Sequence, residues 1–368
     1  MIISRTRGLF RCSTGSCFAL VAYCLIAACE GAAQGGAGLE NGAALQTAAP
    51  TDIPVLAAQR LTIEPALVNA KERNNLSGAA CSAQGVCLMI GDEKRYARFF
   101  TLSGGLLAPA NVIYLLPEEE GGVELDESDG EAIAFSNGAF YVIGSHSRSR
   151  SGAAQASRHF VFRYRFDGSA PPPADIGTAV AVSPEVERRT LDPIIQAHPL
   201  LNQHLTEPPG DTADGNSPSH GVNIEGLAVS GNDMFVGFRG PVDGAGAVIL
   251  RLSLNGLFGT APRLVQTHRV NLGAGQGIRD LAAVQGGLLI LAGPERRNGV
   301  EPSPVFYLWR PDSDQLVPLG RLPREHGDDN PESVTILEET DDAYRMLVLW
   351  DGDAGGVPMI VSVPKPRR

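Results

Sequence analysis

The hydrophobic and polar positions of this chain repeat a short unit in which two apolar runs follow a charged residue. In the clearest copy, Glu225 precedes a run of small apolar residues, a Gly-Asn-Asp turn follows, and the second run ends at Arg239. Apolar runs of about four to eight residues bounded by Gly, Asn and Asp are typical of strands that form a hairpin. The unit therefore predicts two antiparallel strands that begin at a carboxylate and end at a guanidinium.

The same unit occurs five times along the chain. The first strands begin at or beside Ser77, Glu131, Glu225, Asp280 and Glu332. Successive starts are 54, 94, 55 and 52 residues apart, and an insertion at residues 184–220, with a short helix around residues 191–205, explains the long interval. A period of about 50 residues indicates a repeat fold. Two stacked sandwiches fit less well, because a sandwich gives no reason to repeat a carboxylate at this interval.

Each unit continues with further strand-like segments. Third strands are predicted at residues 95–102, 159–166, 247–254, 304–310 and 357–363. Fourth strands are predicted at residues 112–116, 176–183, 263–272 and 315–322. The last unit lacks a fourth strand, which residues 59–63 have the right character to supply. The sequence thus predicts an all-β fold over residues 53–368: a single β-propeller of about five four-stranded blades, closed by an N-terminal strand in the last blade. A sixth blade inside the insertion would be short of strands.

The hairpin geometry also predicts where a site would lie. An antiparallel pair returns to the end at which it started, so all five starting residues are expected around one mouth of the axial channel. The second strands end just outside them, at Asp92/Glu93, His146/Arg148, Arg239, Glu295/Arg296 and Asp351. The expected site is therefore a polar funnel lined with carboxylates and arginines.

Several kinds of chemistry fit such a funnel. Crowded carboxylates repel one another unless a cation lies among them, and hard oxygen ligands suit Ca²⁺ or Mg²⁺. The predicted metal ligands are Glu131, Glu225, Asp280 and Glu332. Because a guanidinium matches a carboxylate or phosphate, Arg148, Arg239 and Arg296 are predicted to bind an anionic substrate. His146 would act as the catalytic base, together with Glu131 and Glu225, in metal-assisted hydrolysis of a small anionic ester, either a phosphoester or a lactone.

The alternative is a non-catalytic ligand-binding or scaffold propeller of the cell envelope. In that case each carboxylate accepts hydrogen bonds from the backbone of the neighbouring blade, and arginines pair with the carboxylates. The remaining histidines are scattered without metal-ligand spacing. The sequence contains no phosphate-binding loop, no dinucleotide fingerprint and no Gly-x-Ser-x-Gly motif.

The N-terminal region has the pattern of an export signal. A basic segment with Arg5, Arg7 and Arg11 precedes an apolar stretch that is too short to span a bilayer. Residues 1–28 are therefore predicted to be a signal peptide, and residues 29–52, rich in Gly and Ala, a flexible tether. The sequence Ile-Ala-Ala-Cys29 resembles the lipobox of bacterial lipoproteins, so Cys29 is a predicted lipidation site. The alternative is ordinary cleavage near Ala33.

Two other observations bear on location and partners. In an exported chain, Cys81 and Cys87 flank a predicted turn and would face each other across the strands, which favours a disulfide. The alternative, a reactive thiol or a metal-binding pair, has no nearby His or third Cys to support it. The formal net charge of −11 disfavours a nucleic-acid partner. We therefore expect a protein of the periplasm or outer membrane that contacts the membrane only through a lipid anchor.

Four motifs carry a resemblance to a known family: Asp-Gly-Glu131-Ala, Gly-Ser-His146-Ser-Arg148, Ile-Glu225-Gly-Leu-Ala and Gly-Phe-Arg239-Gly-Pro. Over roughly residues 76–363 the chain resembles the bacterial family catalogued as domain of unknown function 3616. The Asn-x-Glu-Gly element is similar to one in phytase-like exported esterases. The resemblance implies the propeller fold and the location of the site, and leaves the reaction open. The fourth unit departs from the pattern, because it has Asp280 for the usual Glu and ends on Gly-Pro-Glu.

Overall fold

The structure is a computed structural model that describes residues 57–67, 70–125, 127–168, 185–210, 220–295, 303–322, 330–351 and 357–366. The predicted signal peptide and tether lie outside these residues. The described chain forms five antiparallel blades of four strands each, with a fifth, parallel strand added to the first. The predicted all-β propeller of five blades is confirmed.

The blades are numbered 1 to 5 by the order of their inner strands along the chain. The inner strands are Leu76–Cys81, Gly130–Ser136, Asn223–Ser230, Gln276–Val284 and Asn330–Glu339. The second strands are Val86–Gly91, Ala139–Gly144, Asp233–Gly240, Gly287–Pro294 and Ala343–Asp351. The third strands are Tyr96–Ser103, Val161–Arg165, Ala247–Ser253, Val305–Arg310 and Met359–Pro364. The outer strands are Leu106–Tyr114, Val186–Arg189, Leu264–Val270, Gln315–Arg321 and, for blade 5, Ala57–Arg60.

The ring closes in blade 5, which takes strands from both ends of the described chain. Ala57–Arg60 pairs antiparallel with Met359–Pro364, and Gln59 lies opposite Ile360. This confirms the predicted N-terminal closure. The predicted strand at residues 59–63 is divided, however, because Thr62–Ile63 pairs in parallel with the outer strand of blade 1. The N-terminal segment therefore joins the first and last blades.

The outer strand of blade 2 differs from the prediction. Residues 176–183, the predicted strand, lie outside the described residues, and Val186–Arg189 pairs with Val161–Arg165 instead. The start of the predicted insertion is therefore part of a blade. The helix expected around residues 191–205 is present as two short helices, Asp192–Ala197 and Leu201–His204.

The other elements are short. They are helices Ala70–Asn74, Ala156–Arg158 and Leu254–Leu257 and the hairpin strands Glu119–Glu120 and Val123–Glu124. In the part of the chain that the structure describes, no helix is long and apolar enough to cross a membrane.

Small residues allow the inner strands to meet around the axis. A Cβ atom on Gly78 would lie only 2.7 Å from the Cα of Ala132 in the inner strand of blade 2. Between the blades, aliphatic and aromatic side chains form continuous clusters; Phe140 of blade 2, for example, is fully buried, and its ring lies 6.2 Å from that of Phe99 in blade 1. Since the blades pack face to face, the start of each inner strand is held at one mouth of the ring.

Candidate functional site

A register shift places one residue of every inner strand at the mouth of the axis. Near the start of the inner strand in all five blades, one residue is skipped in the pairing with the second strand. These five bulge residues are Ser77, Glu131, Glu225, Arg279 and Glu332, and all of them line one cavity. Bulges locally re-aim a side chain and are frequent beside functional sites. The repeated polar residue is thus explained by a repeated bulge.

The structure corrects the prediction in blade 4, where the bulge residue is Arg279 and Asp280 points elsewhere. Asp280 is buried, and its carboxylate accepts hydrogen bonds from the backbone N–H of Leu281 and of Val334 in blade 5, both at 2.7 Å. Burial raises its pKa well above the ordinary value, against the opposing effect of these N–H groups. Asp280 does not line the cavity and connects blade 4 to blade 5. The structure does not support its predicted role as a metal ligand.

Arg279 is a site residue that the sequence analysis missed. Its Nη1 lies 2.8 and 2.6 Å from the two carboxylate oxygens of Glu332 and 3.3 Å from Oε2 of Glu225. The guanidinium therefore neutralises two of the three carboxylates in the bulge ring. The segments Ile-Glu225-Gly-Leu and Ile-Arg279-Asp-Leu match at their apolar positions, and that alignment would have identified Arg279.

Glu225 is further held by a second arginine. Arg239 Nη1 lies 2.9 Å from Glu225 Oε1, which also accepts a hydrogen bond from Asn223 Nδ2 at 3.0 Å. The Nε of Arg239 donates to the carbonyl of Pro294 in blade 4. Both charged side chains are buried, so Arg239 contributes to the packing of blades 3 and 4 as well as lining the cavity.

Glu131 differs from the other two carboxylates of the bulge ring. It is partly exposed to the cavity, and no described residue forms a hydrogen bond or ion pair with its carboxylate. Burial, together with the neighbouring carboxylates of Asp129 and Glu225, raises the pKa of Glu131 well above its ordinary value. Asp92 also lines the cavity, and burial together with the charge of Asp129 raises its pKa to about 8. The Oδ1 atom of Asp92 has no hydrogen-bond partner among the described residues.

The cavity has a volume of about 420 Å³, and acidic groups outnumber basic ones among its described lining residues. Its acidic residues are Asp92, Glu93, Glu127, Asp129, Glu131, Glu225, Glu332 and Asp351. Its basic residues are Arg150, Arg158, Arg239 and Arg279. Although Arg279 opposes the effect, burial raises the pKa of Glu332 to about 7. Carboxyl groups that titrate this high favour either protons or a bound cation near neutral pH.

A polar network in blade 2 forms one side of the cavity. Arg158 Nη1 lies 3.0 Å from Asp129 Oδ2, and Arg158 also pairs with Glu127. The hydroxyl groups of Ser145 and Ser147 both donate to Asp129. Asp129 and Arg158 were not singled out in the sequence. Their ion pair fixes the position of the blade 2 side chains that line the cavity.

The structure places His146 behind this network, outside the cavity. Its ring is buried, Nδ1 lies 3.0 Å from the carbonyl of Gly144, and Nε2 accepts the backbone N–H of Leu191 at 3.3 Å. Its ring centroid lies 5.5 Å from that of His159, and the two rings are tilted by 32°. Burial lowers the pKa of His146 to about 4. With both nitrogens occupied, His146 is unsuited to the predicted role of base at the mouth of the ring.

The other predicted residues have varied positions. Arg148 lies outside the cavity and donates to the carbonyls of Leu205 and Gly152 at 3.0 and 2.8 Å, so it supports the insertion instead of facing a substrate. Arg296 lies outside the described residues. Cys81 and Cys87 are cross-strand partners and form the predicted disulfide. Among the described residues no group of three or more His, Cys, Asp or Glu side chains is arranged to hold a metal ion.

Comparisons with solved structures found proteins of low sequence identity. The chain is similar to virginiamycin B lyase from Staphylococcus aureus, with 11% identity over 84% of this chain and 74% of that one and a TM-score of 0.35. A hypothetical protein from Leishmania major has 10% identity over 85% and 91% of the two chains and a TM-score of 0.41. Aldose sugar dehydrogenase from Streptomyces coelicolor has 12% identity over 85% and 99% and a TM-score of 0.38.

None of these likenesses bears on the chemistry of the site. Comparison with curated protein sequences gave no match. Residues 178–356 match the family model described as Protein of unknown function (DUF3616), and over this stretch the resemblance predicted from the sequence motifs is confirmed.

Proposed function

We propose that this protein binds a small cationic ligand in the acidic cavity at the mouth of its propeller. The observation that carries the proposal is the position of Glu131, whose carboxylate faces the cavity without a hydrogen bond or ion pair to any described residue. Glu225 and Glu332, the other carboxylates of the bulge ring, are already paired with Arg239 and Arg279. Glu131 and the nearby Asp92 therefore remain for a ligand.

The charge balance of the cavity supports a cationic ligand. A cavity of about 420 Å³ suits a small molecule or a hydrated ion. Arg158, Arg239 and Arg279 are engaged with carboxylates of the protein, so they are poorly placed to bind a small anionic ester. A positive charge, on an amine or an inorganic ion such as Ca²⁺, would relieve the repulsion among the carboxylates. A bound cation favours the ionised form of the carboxylates. Binding should therefore release protons, and the affinity for the cation should increase as the pH rises.

Calorimetric titration with Ca²⁺, with the diamine putrescine and with inorganic phosphate tests this proposal. We expect binding of at least one of the two cations, with a proton release that is visible when buffers of different ionisation enthalpy are compared. The Glu131→Gln variant should lose this binding, whereas Glu119→Gln, at an exposed position outside the cavity, should retain it. Binding of phosphate alone, or cation binding that survives Glu131→Gln, would contradict the proposal.

A second candidate function is hydrolysis of a small ester. It is favoured by the pKa of about 8 at Asp92, because a carboxyl group that titrates near neutral pH can donate and accept a proton during catalysis. In this scheme Glu131 removes a proton from water and Asp92 protonates the leaving group. Phosphoester substrates and lactones, tested with and without Ca²⁺, would reveal the activity. A rate that is unchanged in both Glu131→Gln and Asp92→Asn would exclude these two roles.

The cellular location is a proposal that rests on the N-terminal sequence. Cys29 follows Ile-Ala-Ala at the end of an apolar stretch, and residues 1–28 have the composition of a signal peptide. Metabolic labelling with a fatty acid should mark the wild-type chain. Labelling that persists in Cys29→Ala would show that this cysteine is not the lipid attachment site.

A further inference from the structure

A second concave surface lies between blades 1 and 5, at the opposite end of the strands from the acidic cavity. It has a volume of about 580 Å³ and is formed where the turns at residues 82–85 and 104–105 meet blade 5. Its apolar lining residues are Leu61, Leu102, Leu106, Ile336, Leu337 and Ile360. Of these, Leu61 is buried and the others are partly buried, so the groove offers an aliphatic floor that remains open to solvent.

Among the residues that the structure describes, one charged residue, Arg345, lines this groove. Arg345 is exposed, and no described residue forms a hydrogen bond or ion pair with its guanidinium. Glu338 is its cross-strand partner but makes no ion pair with it in the part of the chain that the structure describes. The described lining contains no acidic residue. In a chain of net charge −11, this is a local positive site beside an aliphatic surface.

We infer that this groove binds an aliphatic carboxylate of medium chain length. The planar guanidinium of Arg345 can bind the carboxylate through two parallel hydrogen bonds. The hydrocarbon chain would lie along Leu102 and Leu106 of blade 1 and Ile336 of blade 5. Gln59 and Ser103 line the same groove and are exposed, so they can reach polar groups at its rim. This site is independent of the acidic cavity and of its proposed ligand.

Chain-length dependence provides the first test. Isothermal titration with octanoate, decanoate and dodecanoate, each below its micelle concentration, should show affinity that rises by about threefold to fourfold per added methylene that is buried. Octylamine carries the same chain with the opposite charge and should bind at least tenfold more weakly than octanoate. Equal affinities across the carboxylate series, or equal affinities for octanoate and octylamine, would overturn the inference.

Two variants give a second test. Arg345→Ala should weaken decanoate binding by at least tenfold, because a charge-assisted bidentate contact is lost. Ser103→Trp should also weaken it, because the indole ring would occupy the groove from an exposed position. Arg263→Ala, which removes an exposed arginine from blade 3, is the matched control and should bind as wild type. Thermal melting checks that each variant is folded, and decanoate affinity that is unchanged in folded Arg345→Ala would refute the assignment.

Discussion

Arg239 and Glu225 form a buried ion pair at the mouth of the propeller, with 2.9 Å between Nη1 and Oε1 and only 3% and 5% of the two side chains exposed. The pair belongs to one blade, and Arg239 also donates to the carbonyl of Pro294 in the next. The arginine predicted as a substrate contact is therefore first a structural residue, although it lines the cavity.

The first prediction concerns the stability that depends on this pair. Arg239→Met should lower the free energy of unfolding by about 3–5 kcal/mol, because the buried carboxylate of Glu225 loses its nearest arginine and the carbonyl of Pro294 loses its donor. Arg239→Lys should lower the free energy of unfolding by less than Arg239→Met, since the positive charge remains. It should still be destabilising, because lysine lacks the planar fork that contacts Glu225 and Pro294 at the same time. Chemical denaturation measures the effect, and Arg251→Met, in a more exposed pair with Asp233, should cost no more than about 1 kcal/mol. A similar small cost at Arg239 would contradict a structural role.

The second prediction concerns pH and Asp92. Its pKa is raised from 3.8 to about 8 in the folded protein, so the folded state binds more protons than the unfolded state between these values. Stability should therefore fall as the pH rises from about 4 to 8. Denaturation at several pH values in metal-free buffer should show this slope, and Asp92→Asn should make it shallower. If a slope of the same size persists in Asp92→Asn, groups other than Asp92 are responsible for the pH dependence of stability.

The third prediction concerns His146 and has the opposite sign. Its pKa is lowered from 6.5 to about 4, so its contribution to stability is complete above pH 6.5 and is lost as the pH falls towards 4. At pH 7, His146→Asn should cost about 1–3 kcal/mol, because the buried N–H of Leu191 loses its acceptor. Asparagine tolerates the positive φ of 53° at this position. Ligand affinity and any hydrolysis should change less than twofold, whereas a loss of activity without loss of stability would restore a catalytic role.

The fourth prediction concerns the disulfide between Cys81 and Cys87. It closes a loop of few residues, so its removal should cost only about 2 kcal/mol in the chain-entropy model. A reductant should lower the denaturation midpoint of the wild type and leave that of the Cys81→Ser/Cys87→Ser double variant unchanged. Complete unfolding on reduction would show that the disulfide holds more of blade 1 than its loop length implies.

The fold could be predicted from the sequence because each blade repeats the same apolar runs at a nearly constant interval. The N-terminal closure followed from the missing strand in the last unit, and Gln59 does pair with Ile360. The outer strand of blade 2 could not be assigned correctly, because Val186–Arg189 contains three charged residues among its four. Such a strand lies at the edge of a blade and carries little of the apolar signal on which prediction depends.

The site could be predicted only in part. The mouth of the ring and four of its five bulge residues followed from the repeat, but Arg279 was missed in favour of Asp280. Successive side chains of a strand point to opposite faces. A prediction that is shifted by one residue therefore selects Asp280, which connects two blades, and misses Arg279, which lines the cavity. His146 was misjudged because it accepts a hydrogen bond from Leu191 of the insertion, which has no counterpart in the other repeats.

The closure of blade 5 has a consequence for the order in which the molecule can assemble. Ala57–Arg60 is synthesised first among the described strands, yet its partner Met359–Pro364 is synthesised last. Until that partner is in place, the early strand has an unpaired edge. The faces of blades 1 and 5 that contact each other in the closed ring also remain exposed. Exposed strand edges of this kind are aggregation sites. A chain truncated before residue 359 should therefore aggregate more readily on refolding than the full chain does.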